Sequence, residues 1–355
     1  MEANLQAAGH SRSLTDAASR AQSSVDARIS QAMASPRHVA RVAVSGASGL
    51  LGRFLTRLLR EKGYDVRGAD RDTPPAADGE HVRGDLLDFS VCQRACAGAA
   101  TLVHAAALQY HSGPPRWGRR RFFDQNVAAT HNLTRAALAA GVSHVVMVSS
   151  DMVYGLPQGR PLRESDTPRP IGPYGRSKLA CERACEAARE QGVVVTILRP
   201  RLIVGPGRLG VLTRLFDAVR DGRAIPLIGR GHNRYQMVSV EDVARACLLA
   251  VQTRPDGTFN LGSNDSPPVR VLLTELCRRA GSRARPLPTP AWLTNTGLWG
   301  LHALRAAPLS PEQFRLASVD YVLDTSRAAE QLGWRPLHGD AEMLWQAYQS
   351  YVGRA

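Results

Sequence analysis

Val42-Ala43-Val44-Ser45-Gly46-Ala47-Ser48-Gly49-Leu50-Leu51-Gly52 decides how the rest of the chain is read. A short β-branched run, Arg41–Ser45, leads into three glycines at Gly46, Gly49 and Gly52. A helical apolar pattern then follows over Leu50–Glu61. Glycines at such a junction permit a tight turn, bring backbone N–H groups close to a pyrophosphate, and let a helix lie close on a strand. The spacing predicts the first strand–helix turn of a dinucleotide-binding domain, with Gly46, Ser48, Gly49, Leu50 and Gly52 against the cofactor.

Outward from that turn, a second strand at residues 65–69 ends at Asp70, 24 residues after Gly46. This is close to the ~20-residue offset at which an acid holds the ribose hydroxyls of NAD. A carboxylate there disfavours a 2′-phosphate, so NAD is expected over NADP. Arg67 and Arg71 beside it keep NADP open as the alternative. Gly84-Asp85-Leu86 follows a third strand, and His104-Ala105-Ala106-Ala107 closes a fourth, Thr101–His104. Arg71, Asp85, Leu86, Ala105 and Ala106 therefore join the cofactor set.

Further strands read at 145–149 and 193–198, with helices at 122–140 and 174–190. This alternation predicts an α/β fold, a doubly wound parallel sheet of Rossmann type with right-handed crossovers. Residues 38–200 form the expected dinucleotide-binding domain. Beyond them, Gly- and Pro-rich stretches at 205–210, 267–268 and 286–290 punctuate shorter elements. Residues 201–355 are expected to complete the sheet and form a smaller C-terminal substrate lobe. Residues 1–37 lack lasting apolar periodicity and read as a disordered tail, or as an upstream start with Met33 the true one.

The chain of 355 residues carries 45 Lys+Arg against 31 Asp+Glu, a formal charge of +14, which raises nucleic acid or an anionic membrane as partners. The placement of the charge argues against both. Arg116, Arg119, Arg120 and Arg121 form the one tight cluster, which could meet an anionic group on the substrate. The other arginines are scattered and not interleaved with aromatics as a strand-binding groove requires. No apolar run reaches the ~18 residues of a spanning helix. Six cysteines without a CxxC pair exclude a disulfide scaffold and suit a reducing compartment, the cytoplasm. Cys92/Cys96 and Cys181/Cys185 have no partner histidines, so buried thiols and no metal site are expected.

Among the 45 cations only Lys62 and Lys178 are lysines, so a retained lysine points to a need for compact ammonium chemistry. Lys178 stands in Tyr174-Gly175-Arg176-Ser177-Lys178. Tyrosine and lysine at i and i+4 share a helix face, with Cβ atoms about 5–6 Å apart. A phenol with a pKa near ~10 is a poor base at neutral pH. A neighbouring ammonium and a positive nicotinamide ring favour the phenolate and bring it into acid–base range. Ser149-Ser150 ends a strand at the cofactor crevice, where the Ser150 hydroxyl can hold a reacting oxygen. The candidate catalytic set is Tyr174, Lys178 and Ser150.

Asn126-Val127, Val153-Tyr154-Gly155, Arg199-Pro200, Gly205-Pro206-Gly207, Val240-Glu241-Asp242-Val243 and Leu332-Gly333-Trp334-Arg335-Pro336 complete the pattern. Together these residues resemble the extended short-chain dehydrogenase/reductases, the NAD-dependent epimerase/dehydratase superfamily, from residue 40 to residue 350. The resemblance implies bound NAD(P), with Asn126 and Pro200 added to its contacts. It implies Tyr174 as the acid/base, Lys178 on the nicotinamide ribose and Ser150 orienting the reacting oxygen. It also implies a homodimer formed through the helices at 122–140 and 174–190.

The implied reaction is hydride transfer at a secondary alcohol or ketone, first of all by a sugar or nucleotide-sugar epimerase or dehydrogenase. The departures bear on the substrate. Met152, where sugar 4,6-dehydratases place a glutamate, cannot transfer a proton. Tyr235, with Arg234 beside it, stands where sugar-nucleotide epimerases place a diphosphate-binding arginine. Arg201-Leu202-Ile203 lacks their asparagine, and Arg315 to Asp320 lacks their RxGD element. Gln109, Asp151, Arg201, Arg234 and Tyr235 are the candidate substrate contacts. The apolar stretch 292–304 suits a hydrophobic pocket or a membrane surface, with a core-facing amphipathic helix as the plain alternative. It supports a second reading, a hydroxysteroid-dehydrogenase-like enzyme on an apolar alicyclic or ketone substrate. A third, a non-catalytic NAD(H)-sensing protein, sits poorly with an intact Tyr174–Lys178 pair.

Overall fold

The strand that precedes the glycine turn lies inside a seven-stranded parallel sheet in a computed structural model. The structure describes residues 40–73, 79–109, 123–207, 212–290, 315–316 and 318–353. β1 (Arg41–Ser45) pairs on one side with β2 (Asp65–Asp70), which pairs with β3 (His81–Arg83). On its other side follow β4 (Thr101–His104), β5 (His144–Val148), β6 (Val194–Pro200) and β10 (Gly257–Leu261). Winding therefore reverses between β1 and β4, and a crevice opens there at the carboxyl ends of the strands.

Strand side chains alternate between two cores, as the period of two requires. Val42, Val44, Val103, Val146 and Val148 face α1 (Leu50–Glu61) and α6 (Val240–Thr253). Ala43, Leu102, Val145 and Met147 face α2 (Phe89–Cys96), α3 (Ala128–Ala139) and α4 (Pro173–Arg189). Helices thus cover both faces, and the fold is the doubly wound parallel sheet that the alternation implies. Strand bounds differ from the expected ones by a residue or two, at the ends where hydrogen bonding thins.

One difference matters for the site. The helix expected at 122–140 opens with a π-turn, Phe123–Val127, before α3. The wider turn lets Asn126 bond to Leu108 at both ends: its Oδ1 accepts from Leu108 N–H at 2.7 Å and its Nδ2 donates to Leu108 C=O at 3.2 Å.

After β6 the elements shorten. β7 (Leu202–Val204) pairs with β9 (Met237–Ser239), and β8 (Ile225–Ile228) with β11 (Pro286–Thr289). A third apolar cluster joins Phe216 of α5 (Thr213–Arg220), Leu276 of α7 (Val269–Arg279) and Tyr348 of α9 (Asp340–Val352). The two late motifs meet at Asp242. Its side chain accepts from Ser239, Arg245 and Leu337, and its carbonyl accepts from the indole of buried Trp334 at 2.8 Å. α8 (Ser326–Gln331) leads into that tryptophan. The tail 1–37, the cluster Arg116–Arg121 and the stretch 292–304 lie outside the described residues.

Candidate active site

Parallel pairing brings the carboxyl ends of β1, β2, β4, β5 and β6 to one edge, and most of the residues singled out above stand there. Gly46 turns with φ +76°, a left-handed value that glycine adopts without strain. A Cβ on it would lie 2.6 Å from Ala106 N, so the turn rests directly on the Ala105–Ala106 backbone. A Cβ on Gly52 would meet Gly46 O at 2.0 Å, which fixes how closely α1 approaches the turn. Gly49 is exposed and caps α1 with no side-chain hydrogen bond. The first N–H groups of a helix have no intrahelical acceptor, and the dipole adds positive potential there. This is the built form of an anion cradle.

Asp70 ends β2 and ties the cradle down. Its Oδ2 accepts from Ser48 N–H at 3.0 Å and its Oδ1 from Arg71 N–H at 2.7 Å. A carboxylate offers about four acceptor positions, so two remain for ribose hydroxyls. Of the two arginines that kept NADP open, Arg67 is buried and turned under the sheet. It pairs with Glu80 at 2.8 Å and donates to Arg94 C=O at 3.0 Å. Arg71 is exposed beside Asp70. Asp85 holds its own turn by accepting from Leu87 N–H at 3.0 Å, and Leu86 is buried with its carbonyl on Asn132. His104 closes β4, bridging Ser45 Oγ at 2.7 Å and Thr130 Oγ1 at 2.9 Å. Burial, with Lys178 nearby, pushes its pKa down to about 3, so it is a neutral strut.

Proline at the first turn and Gly172 as its cap start α4 directly before Tyr174. Tyr174 packs with Leu108 and Met152. Lys178, one turn on, is 2% exposed, and its Nζ donates to Val148 C=O at 2.7 Å. Burial lowers its pKa from the ordinary lysine value. Ser177 donates to Tyr174 C=O at 2.8 Å and accepts from Asn126 at 3.1 Å, which links the π-turn to this helix. Ser150 lies two residues beyond the carbonyl that holds Lys178. Its hydroxyl donates to Asp151 at 3.0 Å and accepts from Met152 N–H at 3.2 Å, capping a short 3₁₀ turn, Asp151–Val153.

The substrate candidates divide. Asp151 and Arg201 form a buried ion pair at 2.9 Å. The Arg201 guanidinium lies over the rings of Tyr235 and Tyr321, at 4.0 and 4.2 Å from their centroids. Arg234 is exposed, and its backbone N–H donates to Asp320 at 2.7 Å. Gln109 is half-buried beyond β4, and Pro200 is buried at the end of β6. Glu182 went unread in the sequence, and Arg199 was read only as part of the family pattern. Glu182 and Arg199 are buried against each other behind Lys178, at 2.7 Å. The four-residue step from Lys178 to Glu182 was the signal available.

Comparison with known proteins gives the family. A model of the NAD dependent epimerase/dehydratase family matches residues 42–262. The chain is 30% identical over 258 residues to the 2-alkyl-3-oxoalkanoate reductase of Stenotrophomonas maltophilia, covering 68% of this chain and 76% of that protein. It is 28% identical over 337 residues to the 3 beta-hydroxysteroid dehydrogenase/Delta 5-->4-isomerase of Mycobacterium tuberculosis, covering 88% and 90%. Among solved structures, MoeE5 in complex with UDP-glucuronic acid and NAD superposes with a TM-score of 0.73 at 28% identity. That match covers 89% of this chain and all of the other. This chain belongs to the NAD-dependent epimerase/dehydratase family.

Proposed function

We propose that this protein binds NAD and oxidises a secondary alcohol, or reduces the corresponding ketone, with Tyr174 as acid/base. The observation that carries the reading is Lys178, a buried ammonium one helical turn from Tyr174 and anchored on the strand end that leads into Ser150. The glycine cradle fits a pyrophosphate, and Asp70 fits an unphosphorylated ribose better than a 2′-phosphate. Gly46, Ser48, Gly49, Leu50, Gly52, Asp70, Asp85, Leu86, Ala105, Ala106, Asn126 and Pro200 would hold the dinucleotide. Bound there, NAD(H) supplies a hydride acceptor or donor. Tyr174 takes or gives the proton of the reacting oxygen, Ser150 holds that oxygen, and Lys178 biases the phenol toward phenolate.

For the substrate we favour a neutral alicyclic or ketone compound. Asp151 and Arg201 neutralise each other, while Asp320 holds the Arg234 backbone N–H and lies 3.9 Å from its exposed guanidinium. Among the described residues, the charge of Arg201 is therefore balanced within the protein, and Arg234 is an exposed cation. The two curated relatives described above are named for a hydroxysteroid dehydrogenase and an oxoalkanoate reductase, in line with this reading. A nucleotide-sugar substrate is the second reading, favoured by the likeness to MoeE5. In either reading, residues 38–200 would serve the cofactor and residues 201–355 the substrate. We further propose a homodimer through the adjacent helices α3 and α4. A cytoplasmic site suits the six buried, unpaired cysteines. No helix of the described residues is long and apolar enough to cross a membrane.

The test is nicotinamide absorbance, with chromatography of the sugar products because epimerisation leaves no net NADH, using purified protein, NAD or NADH, and a panel of hydroxysteroids, 3-oxo compounds and UDP-sugars. Turnover of the first two groups is expected. Turnover of UDP-sugars alone would move the assignment to the second reading, and stabilisation by neither NAD nor NADP would remove the cofactor.

A further inference from the structure

Tyr174, Lys178 and Glu182 lie at i, i+4 and i+8 along one stripe of α4. Glu182 is 1% exposed and faces the sheet rather than water. Arg199 of β6 grips it as a fork, Nε to Oε1 at 3.0 Å and Nη2 to Oε2 at 2.7 Å. Ser149 donates its hydroxyl to the same Oε1. Lys178 meanwhile donates to Val148 C=O. The ammonium and the carboxylate of one helix stripe therefore clamp consecutive residues, 148 and 149, of the strand end that carries Ser150. Ser149 N–H also donates to Leu198 C=O at 2.7 Å, which joins the clamp to β6 beside Arg199.

Among the described residues, few charged and titratable groups stand around Lys178. On its own helix stand Tyr174, Cys181, Glu182 and Cys185. From β4 comes His104, while Arg199 of β6 is held on Glu182 and Asp151, in the turn after β5, on Arg201. His104 is neutral, Asp151 is committed to Arg201, and burial raises both thiols, Cys185 to about 12. Near neutral pH the carboxylate on this stripe, one helical turn from Lys178, is Glu182. Its own charge is in turn balanced by Arg199.

We propose that Glu182 is a positioning residue of this site: it supplies the counter-charge that keeps Lys178 an ammonium and, through Ser149, sets the strand end that carries Ser150. Arg199 neutralises it from the sheet side. The proposal rests on the roles given above to Tyr174 and Lys178, but its test reads the charge of Lys178 directly and needs no turnover. Failure of the catalytic reading and failure of this one are thereby separable.

The composition makes the measurement practical, because the chain has two lysines, Lys62 and Lys178. Protein labelled with isotopic lysine gives two side-chain signals, and Lys178→Arg assigns them. At the roughly 5–6 Å typical of side chains four apart on a helix, a unit charge removed across an effective dielectric near ~20 moves a pKa by about two units. Glu182→Gln is expected to lower the Lys178 midpoint by that amount. Arg199→Met, which leaves Glu182 uncompensated, is expected to raise it, and Lys62 is expected to stay put in both. Each buried single variant leaves an unpaired partner and can fail to fold. Arg199→Lys and Glu182→Asp, which keep the charges, are the controls, and both are expected to leave the midpoint close to wild type. A Lys178 midpoint unmoved in Glu182→Gln, or moved in the same direction by Glu182→Gln and Arg199→Met, overturns the proposal. If Glu182→Gln does not fold, an Arg199→Met midpoint equal to that of Arg199→Lys overturns it equally.

Discussion

Asp151 and Arg201 pair at 2.9 Å with side chains only 4% and 2% exposed, so the residue after Ser150 is locked to the residue after Pro200. Two ring faces close over the guanidinium, and Tyr321 donates its hydroxyl to the Asp151 carbonyl at 2.9 Å. Removing one partner of a buried pair strands the other charge, at a cost of about 3–5 kcal/mol. Asp151→Asn is expected to lose stability on that scale in denaturant unfolding. An unchanged midpoint would mean that Arg201 is free for another partner, as a nucleotide-sugar substrate would require.

Gly52→Ala tests the turn. Its Cβ would fall 2.0 Å from Gly46 O and 2.7 Å from Ala47 Cα, both backbone atoms that cannot rotate away. Overpacking of this kind costs about 1–3 kcal/mol. The start of α1 must also shift away from the cradle. Thermal unfolding should fall accordingly, and NAD should stabilise the variant far less than wild type. Full NAD stabilisation in Gly52→Ala would place the dinucleotide elsewhere.

Asp70→Ala removes both the ribose acceptor and the hydrogen bond to Ser48. NAD affinity should drop at least about tenfold, the equivalent of 1.4 kcal/mol. The loss should be smaller for NADP, because the repelling carboxylate has gone while Arg71 remains. Titration of each dinucleotide gives the ratio, and an NAD-to-NADP ratio equal to wild type contradicts the role of Asp70.

Stability should depend on pH through three buried groups, with opposing signs. Burial holds His104 and His144 neutral, to about 3 and about 4, whereas an unfolded histidine titrates near ~6.5. The unfolded chain binds more protons in that window, so their contribution grows as pH rises to ~6.5. Asp340 runs the other way. Burial raises it to about 7, above the unfolded value near ~3.9, so its contribution is lost as pH rises through 7. Asp340→Asn is therefore expected to gain on wild type between pH ~4 and ~7, by about 1.4 kcal/mol for each pH unit crossed. A gap between variant and wild type that does not change with pH contradicts this.

The nucleotide half of the site was legible because its demands are local. A glycine turn, a strand-end acid and an i, i+4 pair each declare themselves within a few residues, and Gly46, Asp70, Tyr174 and Lys178 do so here. The substrate side was not, because its partners are set by long-range packing. Nothing near Arg201 in the sequence announces Asp151, Tyr235 or Tyr321, and a buried ion pair looks the same in sequence as two substrate contacts. Asn126 was found by resemblance, but the π-turn that aims it was not, since a wide turn leaves no apolar period of its own. Arg67 looked available beside Asp70 until the sheet turned it toward Glu80 and α2.

The most direct test of the central claim is Tyr174→Phe, measured for NADH binding by nicotinamide fluorescence and for turnover on whichever panel compound the wild type accepts. General acid–base catalysis typically contributes about 10²–10⁴-fold. The account predicts binding within about threefold of wild type and turnover lower by that catalytic factor. A Tyr174→Phe enzyme that turns over at the wild-type rate contradicts it.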